Sequence, residues 1–176
     1  MGLPLHIHSQ PFSGSVHDFF SPVAALPWAM LLESAAPGGS DSRFHIISAQ
    51  PLATLVTRGE ETVIEHLGQC ETSAESPFSL LKDWQHRLLG EVTLPEPYRH
   101  LPFAGGALGL FCYDLGRRLE RLPTLAINEL ATPDMAVGLF DWAWVIDREA
   151  EQAHLLVLGD EQALAARLTW WQAQQA

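Results

Sequence analysis

The sequence predicts an α+β fold, made mainly of antiparallel sheets whose strands follow one another in hairpins, with flanking helices. Apolar runs of strand length outnumber helical patterns, at about eight against three or four. Turn-forming residues, such as those at 58–60 and 147–149, join neighbouring runs directly. Because strands do not alternate regularly with helices, a doubly wound nucleotide-binding fold is not expected.

The N-terminal residues predict a strand followed by a short helix. Residues 3–8 alternate enough to form the strand. Ser13 or Ser15 is suited to cap the helix, because a short hydroxyl side chain can accept from the first free backbone N–H groups. Pro22 is expected to kink this helix or to stop it early.

Two hairpins are predicted next. Residues 28–33 and 42–49 read as strands around a polar tip at 36–41, whose glycine, proline and aspartate residues are typical of turns. Residues 52–57 and 62–67 read as a second pair of strands. Both hairpins favour antiparallel pairing.

A helix and a connector follow. Ser76 and Pro77 are a suitable helix start, with serine as the cap and proline at the first helical position. The helix is expected to end near Gly90, and an extended connector with three prolines follows at 95–102. The apolar stripe of the helix is predicted to contain Phe78, Leu81, Trp84 and Leu88.

Residues 104–115 form an apolar run that predicts a central strand buried on both faces. Glycines inside such a strand allow another backbone to approach closely, because no Cβ stands in the way. Asp114 is expected to end the strand and to cap the following turn. A phosphate-binding loop is the alternative, but the glycine spacing does not match a dinucleotide fingerprint. An exposed, salt-bridged face is expected for Arg117, Arg118 and Arg121, with Asp114 and Glu120 as partners.

The C-terminal part predicts a strand, a hairpin and a helix, after an irregular link at 125–133. Residues 135–147 read as one strand, with a hairpin partner at 154–158. Residues 161–173 have high helix propensity. One face of the long strand is predicted to carry Phe140, Trp142 and Trp144.

Composition excludes several classes of function. The chain has 176 residues, enough for one ordinary domain or a substantial piece of a larger protein. Its formal net charge of −11 disfavours nucleic acids and anionic membranes as partners. Cys70 and Cys112 suggest neither a metal cluster nor a disulfide framework, and the N-terminus does not resemble a signal peptide. We therefore expect a cytoplasmic protein with reduced thiols.

Four segments, in this order, carry a resemblance to a known family. They are LPWAMLLES (26–34), SRFHIISAQP (42–51), LPFAGGALGLFCYDLGRR (101–118) and PDMAVGLFDWAWVID (133–147). They closely resemble the N-terminal region of the anthranilate synthase component I family, in its aminodeoxychorismate synthase branch. The resemblance covers nearly the whole chain and implies that it is part of a layered α/β/β/α fold of chorismate-utilising enzymes.

The resemblance implies that the complete enzyme aminates chorismate with ammonia from a glutamine amidotransferase subunit, component II, on the route to para-aminobenzoate and folate. In such enzymes the residues for chorismate and Mg²⁺ lie in a C-terminal chorismate-binding domain. Residues 1–176 match the N-terminal region, so no catalytic residue, metal site or cofactor is assigned to them. We expect this region to be inactive without its own C-terminal domain.

The family also has a tryptophan pocket, and the resemblance places part of it in this chain. The matching positions are Ser34, at the end of the first hairpin strand, and Asp41, Ser42, Arg43 and Phe44, entering the second. Serine can accept from the ligand ammonium, Arg43 can donate to its carboxylate or lie over the indole, and Phe44 can pack against the ring. The structural alternative is that the serines end strands and that Arg43 pairs with a surface carboxylate.

Three functions stay open. The first is the N-terminal region of an aminodeoxychorismate synthase component I, and the second is the same region of an anthranilate synthase with a feedback tryptophan site. The third is a free-standing amino-acid-binding module that shares the fold. Trp170 and Trp171, close to a polar end of the chain, favour an enzyme whose further residues cover them.

Overall fold

The computed structural model describes residues 2–34, 42–121, 123 and 130–175. These residues form two five-stranded sheets and three α-helices, which confirms the α+β class. The strand pairs with an assigned register are antiparallel. The strands are β1 Leu5–Pro11, β2 Met30–Leu32, β3 Phe44–Ser48, β4 Ala53–Arg58, β5 Glu61–His66, β6 Gln69–Ser73, β7 Gly106–Phe111, β8 Met135–Phe140, β9 Trp142–Asp147 and β10 Gln152–Leu158; the helices are α1 Val16–Phe20, α2 Pro77–Leu88 and α3 Glu161–Gln174.

The chain divides into two compact units. The first unit contains Met1–Gln50, Leu89–Gly106 and Phe140–Ala176, and its sheet has the strand order β1-β10-β9-β3-β2. The second unit contains Pro51–Leu88 and Ala107–Leu139, and its sheet has the order β6-β5-β4-β8-β7. The predicted hairpins β2–β3 and β4–β5 are confirmed.

Local capping explains where the helices of the first unit begin. The Ser15 hydroxyl accepts from two backbone N–H groups in the first turn of α1. Pro22 lies in the 3-10 helix Ser21–Val23, which follows α1 directly, so the predicted early stop is confirmed. Asp160 begins α3, because its Oδ1 accepts from the Ala163 N–H at 2.8 Å.

One face of the first sheet carries an aromatic core. Trp142 and Trp144 of β9 are fully buried, and Trp171 of α3 is 4% exposed. The ring centroid of Trp171 lies 6.2 Å from that of Trp142 and 5.5 Å from that of Trp144. Trp170 is half-buried, with the Arg167 guanidinium carbon 4.9 Å from its ring centroid. The expectation that further residues cover the C-terminal tryptophans is therefore wrong for Trp171, because α3 packs it on its own unit.

The other face of β9 and β10 is covered by the connector that precedes β7. Val145 and Leu156 are buried against Leu101 and Ala104 of this connector. The sequence predicts an extended connector, but the 3-10 helix Glu96–Tyr98 interrupts it. The connector therefore contributes to the core of the first unit.

The second unit packs α2 on its own sheet. Its core contains Leu55 of β4, Ile64 of β5 and Trp84 of α2. The predicted helix is confirmed, but its buried stripe includes Leu80, whereas Phe78 is 39% exposed. Strand β6 is missing from the sequence prediction because its residues, QCETS, have no apolar alternation; pairing with β5 forms it.

Residues 104–115 differ from the prediction in one respect and agree in another. The expectation of a central strand is wrong, because β7 is the last strand of its sheet and its second half is exposed. The expected close approach at a glycine is confirmed at Gly109, where a Cβ would collide with the Ala136 carbonyl oxygen. Asp114 does not cap the turn, since the 3-10 helix Tyr113–Arg118 has no side-chain cap.

Residues 135–147 form two strands, where the sequence predicts one. β8 and β9 belong to different sheets and are separated by Asp141. β8 pairs with β4, and β9 pairs with β3 and β10, so the hairpin predicted between β9 and β10 is confirmed. Trp142 and Trp144 share a core face as predicted, while Phe140 belongs to the other strand. The predicted tip at 36–41 and most of the link at 125–133 lie outside the described residues.

Candidate functional site

An open groove lies beside β2, the last strand of the first sheet. Its volume is about 600 Å³, which is within the range of small-molecule sites. Leu32 is 43% exposed, so part of the apolar lining faces solvent. The lining residues are Leu31, Leu32, Glu33, Ser34, Phe44, Ile46 and Pro102.

Arg43 is bound to a buried carboxylate. Its Nε donates to Asp147 Oδ1 at 2.9 Å, and its Nη2 donates to Oδ2 at 2.6 Å. Asp147 is fully buried and also accepts from the backbone N–H groups of Glu149 at 3.1 Å and Ala150 at 3.2 Å. Burial by itself would raise the pKa of Asp147, but Arg43 and these N–H groups outweigh it, so the pKa is lowered. The same pairing raises the pKa of Arg43.

More polar side chains lie near Asp147. His154 Nδ1 lies 2.8 Å from Ser9 Oγ, which in turn lies 3.4 Å from the Tyr98 hydroxyl. His100 Nε2 lies 3.7 Å from Asp147 Oδ2. Burial lowers the pKa of His154; the charge of Asp147 opposes this effect and that of His100 adds to it. These contacts attach the connector, through Tyr98 and His100, to the first sheet.

The structure places the predicted tryptophan-pocket residues in different settings. Ser34 and Phe44 line the groove. Ser42 and Arg43 do not line it; Ser42 is buried, and the Arg43 guanidinium carbon lies 4.9 Å from the Phe44 ring centroid. Asp41 lies outside the described residues. Arg43 donates to a carboxylate of the chain, as the structural alternative has it, but that carboxylate is buried rather than on the surface.

Sequence reasoning missed most of the apolar wall of this groove. Strand alternation could have found Ile46, because it lies two residues after Phe44 and shares its face. Pro102 comes from the distant connector, and no local pattern links it to β2. Glu33 has a carboxylate oxygen 2.8 Å from His17 Nε2, so one acceptor at the rim is already engaged.

The basic residues after β7 contact groups of their own unit. Arg117 Nη2 donates to Asp114 Oδ1 at 2.9 Å, as expected for an exposed salt-bridged face. Arg118 is paired differently from the expectation. It pairs with Glu60 at 3.0 Å and donates to three backbone carbonyl oxygens. These contacts favour the structural role over a phosphate loop.

Other features give few further candidates. A cleft of about 160 Å³ in the second unit is lined by residues of β5, β6 and α2, including His66, Trp84 and Arg87. Cys70 and Cys112 are free thiols. Within the described ranges, no three His, Cys, Asp or Glu side chains are grouped to hold a metal ion. None of the described helices is long and apolar enough to cross a membrane.

Comparison with known sequences identifies clear relatives, although no family model matches the chain. Aminodeoxychorismate synthase component 1 of Klebsiella aerogenes is 47% identical over 159 residues, which cover 90% of this chain and 34% of the relative. The Escherichia coli K12 protein of the same name is 42% identical over 158 residues, covering 89% and 33%. Anthranilate synthase component 1 of Mycolicibacterium smegmatis is 38% identical over 116 residues, covering 64% and 21%.

The fold of the chain is also found in a solved structure. Anthranilate synthase component I from Streptococcus pneumoniae superposes with a TM-score of 0.56 over 78% of this chain and 30% of that one, at 23% identity. The chain spans about a third of the length of the two aminodeoxychorismate synthase relatives. Over about 90% of its length the chain is therefore similar in sequence to part of aminodeoxychorismate synthase component 1, and it shares the fold of part of an anthranilate synthase component I.

Proposed function

We propose that the chain is the N-terminal region of an aminodeoxychorismate synthase component I. The observation that carries this proposal is the identity of 42–47% to proteins of that name over about 90% of the chain. The complete enzyme converts chorismate and glutamine-derived ammonia to 4-amino-4-deoxychorismate, for para-aminobenzoate and folate synthesis. Its partner is component II, the glutamine amidotransferase subunit.

In this proposal residues 1–176 give the enzyme structural support and form part of a ligand groove. Mg²⁺, which the family implies, does not fit the described residues, because they contain no cluster of carboxylate or imidazole ligands for it. Mg²⁺ and chorismate are therefore assigned to the C-terminal chorismate-binding domain. The free thiols of Cys70 and Cys112 support a cytoplasmic location.

Anthranilate synthase is the second candidate, because relatives of that name match 64% of the chain at 36–38% identity. Two chimeras separate the candidates. In one, this chain replaces the aligned region of the Klebsiella aerogenes aminodeoxychorismate synthase; in the other, it replaces that of the Mycolicibacterium smegmatis anthranilate synthase.

We expect the first chimera to make aminodeoxychorismate at most of the parental rate and the second to be strongly impaired. The reason is that this chain is more similar to the region it replaces in the first chimera than to the one it replaces in the second. Its contact residues should therefore pack better against the remaining part of the first enzyme. An inactive first chimera, with a second chimera that makes anthranilate at the parental rate, would refute the proposal.

The groove of Ser34 and Phe44 is proposed as one wall of an L-tryptophan site. Phe44 offers a flat apolar surface to an indole, and the Ser34 hydroxyl can accept from an ammonium or donate to a carboxylate. Because Arg43 Nε and Nη2 both donate to Asp147, Arg43 is assigned to positioning Phe44 rather than to binding the ligand carboxylate. Small-molecule sites bury most of their ligand, so an open groove needs a second wall.

Calorimetry with L-tryptophan tests this site. We expect weak or undetectable binding by the chain alone and clear binding by the first chimera, where the second wall is present. In the chimera, Ser34→Ala should cost about 0.5–1.5 kcal/mol of binding free energy. Ser13→Ala, at an exposed position outside the groove, is the control. Micromolar binding by the chain alone would show that the pocket is complete here, and unchanged affinity in Ser34→Ala would refute the site.

A further inference from the structure

A small cleft of the second unit combines an aromatic floor with charged groups of both signs. Its volume is about 160 Å³, and an apolar cavity of roughly 150 Å³ is known to hold a benzene molecule. Sites for drug-sized molecules start at roughly 300 Å³, so this cleft suits a molecule with a single ring. Strands β5 and β6 and helix α2 supply the lining residues Ile64, His66, Gln69, Cys70, Glu71, Trp84 and Arg87.

The aromatic floor of the cleft is fixed by its neighbours. Trp84 is buried and belongs with Ile64 to the core of the second unit. The His66 ring meets the Trp84 ring edge to face, with 5.3 Å between the ring centroids. His66 is held in turn, because its Nδ1–H donates to the Leu52 carbonyl oxygen at 2.8 Å. A flat apolar group that enters the cleft therefore meets a preformed surface.

The charged groups of the cleft are available to a ligand. The Arg87 guanidinium carbon lies 4.8 Å from the Trp84 ring centroid, so the cation rests on the indole. Glu71 of β6 is paired with Ile64 of β5 and shares the face that α2 covers. In the part of the chain that the structure describes, the side chains of Arg87 and Glu71 form no ion pair or hydrogen bond. Arg118, by contrast, pairs with a carboxylate of the chain.

This arrangement favours a molecule that is anionic at one end and donates hydrogen bonds at the other. An arginine guanidinium binds a carboxylate through two N–H groups. The Glu71 carboxylate and the Gln69 side-chain oxygen can accept from an amino group. An inorganic anion would be attracted by Arg87 but repelled by Glu71, and a metal ion would meet the reverse. Within the described ranges, moreover, no three His, Cys, Asp or Glu side chains are grouped to hold a metal ion.

We propose that this cleft binds a small aromatic amino carboxylate, with Arg87 on the carboxylate, Trp84 against the ring and Glu71 accepting from the amino group. The cleft lies within the second unit, whereas the groove proposed for L-tryptophan lies within the first. The inference therefore goes beyond the proposed function and does not rest on it. A simple probe is 4-aminobenzoate, which carries the two polar groups at opposite ends of one ring.

Calorimetric titration of the chain with 4-aminobenzoate tests the carboxylate end of the site. We expect a dissociation constant below about 1 mM. Arg87→Gln should weaken the binding at least about tenfold, because it removes a charged hydrogen bond to the carboxylate. Lys82→Gln removes a cation from an exposed position of the same helix, outside the cleft, and should leave the affinity unchanged. Absence of binding at millimolar ligand, or an equal loss in the two variants, would overturn the proposal.

Comparison with benzoate, which lacks the amino group, tests the other end. Benzoate should bind more weakly than 4-aminobenzoate. Glu71→Ala should weaken the binding of 4-aminobenzoate but not that of benzoate, because only the first ligand can donate to Glu71. Glu65→Ala, at an exposed position of β5 outside the cleft, removes the same charge and is the matched control. Equal affinities for the two ligands, or an equal loss for both in Glu71→Ala, would overturn the assignment of an amino carboxylate.

Nuclear magnetic resonance of the indole N–H groups shows where the ligand binds. The signal of Trp84, assigned by its loss in Trp84→Phe, should shift during titration with 4-aminobenzoate. The signal of Trp144, which is buried in the core of the first unit, should stay in place. A Trp84 signal that does not move while the ligand binds would put the ligand elsewhere and would overturn the proposal.

Discussion

At the scale of single residues, two aspartate–arginine pairs allow a controlled comparison of buried and exposed ion pairs. Asp147 has no exposed surface and accepts four hydrogen bonds, two of them from Arg43. The side chain of Asp114, which pairs with Arg117, is 54% exposed. Asp147→Ala should lower the free energy of unfolding by about 3 kcal/mol, since it breaks a buried pair. Asp114→Ala should lower it by less than about 1 kcal/mol. Denaturant titration measures both, and equal losses would contradict the argument.

Mild acid should destabilise the fold through a buried histidine. Burial lowers the pKa of His154 below its ordinary value of 6.5, so the unfolded chain takes up a proton at a higher pH than the folded chain does. The contribution of His154 to the free energy of unfolding is therefore fully present above pH 6.5. It is lost as the pH falls from there through the lowered pKa. The pKa of His45, lowered by burial and by Arg148, acts in the same direction.

His154→Gln should therefore flatten the dependence of unfolding free energy on pH. Denaturant titrations at about pH 7.5 and about pH 5.5 bracket the window. His86→Gln, at an exposed position of α2, controls for the loss of a histidine as such. A wild-type slope in His154→Gln would show that the proton is taken up elsewhere.

The candidate site was only partly predictable at this scale. Ser34 and Phe44 could be named because they lie in motifs that resemble a family, and the structure places both on the groove. The partner of Arg43 could not be named, since Asp147 lies 104 positions away in sequence and pairing of β3 with β9 brings them together. Pro102 reaches the groove for a similar reason, through the path of the connector.

At the scale of elements, α3 depends on its N-terminal cap. Asp160 Oδ1 accepts from the Ala163 N–H, which has no partner within the helix, and α3 carries Trp171 to the aromatic core. Asp160→Ala should cost about 1 kcal/mol of stability, whereas Asp160→Ser, which keeps an acceptor, should cost much less. Denaturant titration, followed by tryptophan fluorescence, compares the two. An equal loss in both variants would contradict a capping role.

Elements with local signals were predictable, and elements set by distant partners were not. A serine caps α1, a Ser-Pro pair marks the start of α2, and polar turns separate the paired strands. The run at 135–147 is buried except at Ala136 and Asp141, which are half-buried, so it shows no alternation that could reveal the change of sheet at Asp141. Likewise, the position of β7 at an edge depends on which strands pair with β8 rather than on its own sequence.

At the scale of the whole molecule, the chain supplies a scaffold more clearly than a reaction centre. Its strongest polar cluster, Arg43 with Asp147, is internally paired, and its surface arginines Arg117 and Arg118 contact groups of their own unit. A formal net charge of −11 adds no attraction for an anionic substrate such as chorismate.

We accordingly expect residues 1–176 to consume no chorismate when ammonia and Mg²⁺ are supplied. Magnesium needs carboxylate ligands, and the described residues contain no cluster of three groups that could serve. Chromatography of chorismate after incubation with the chain measures the loss, and the aminodeoxychorismate synthase chimera under the same conditions is the positive control. Turnover by the chain alone would place catalytic groups within it and would contradict their assignment to the C-terminal domain. Turnover by the chimera but not by the chain would agree with the assignment of the catalytic groups to the C-terminal domain.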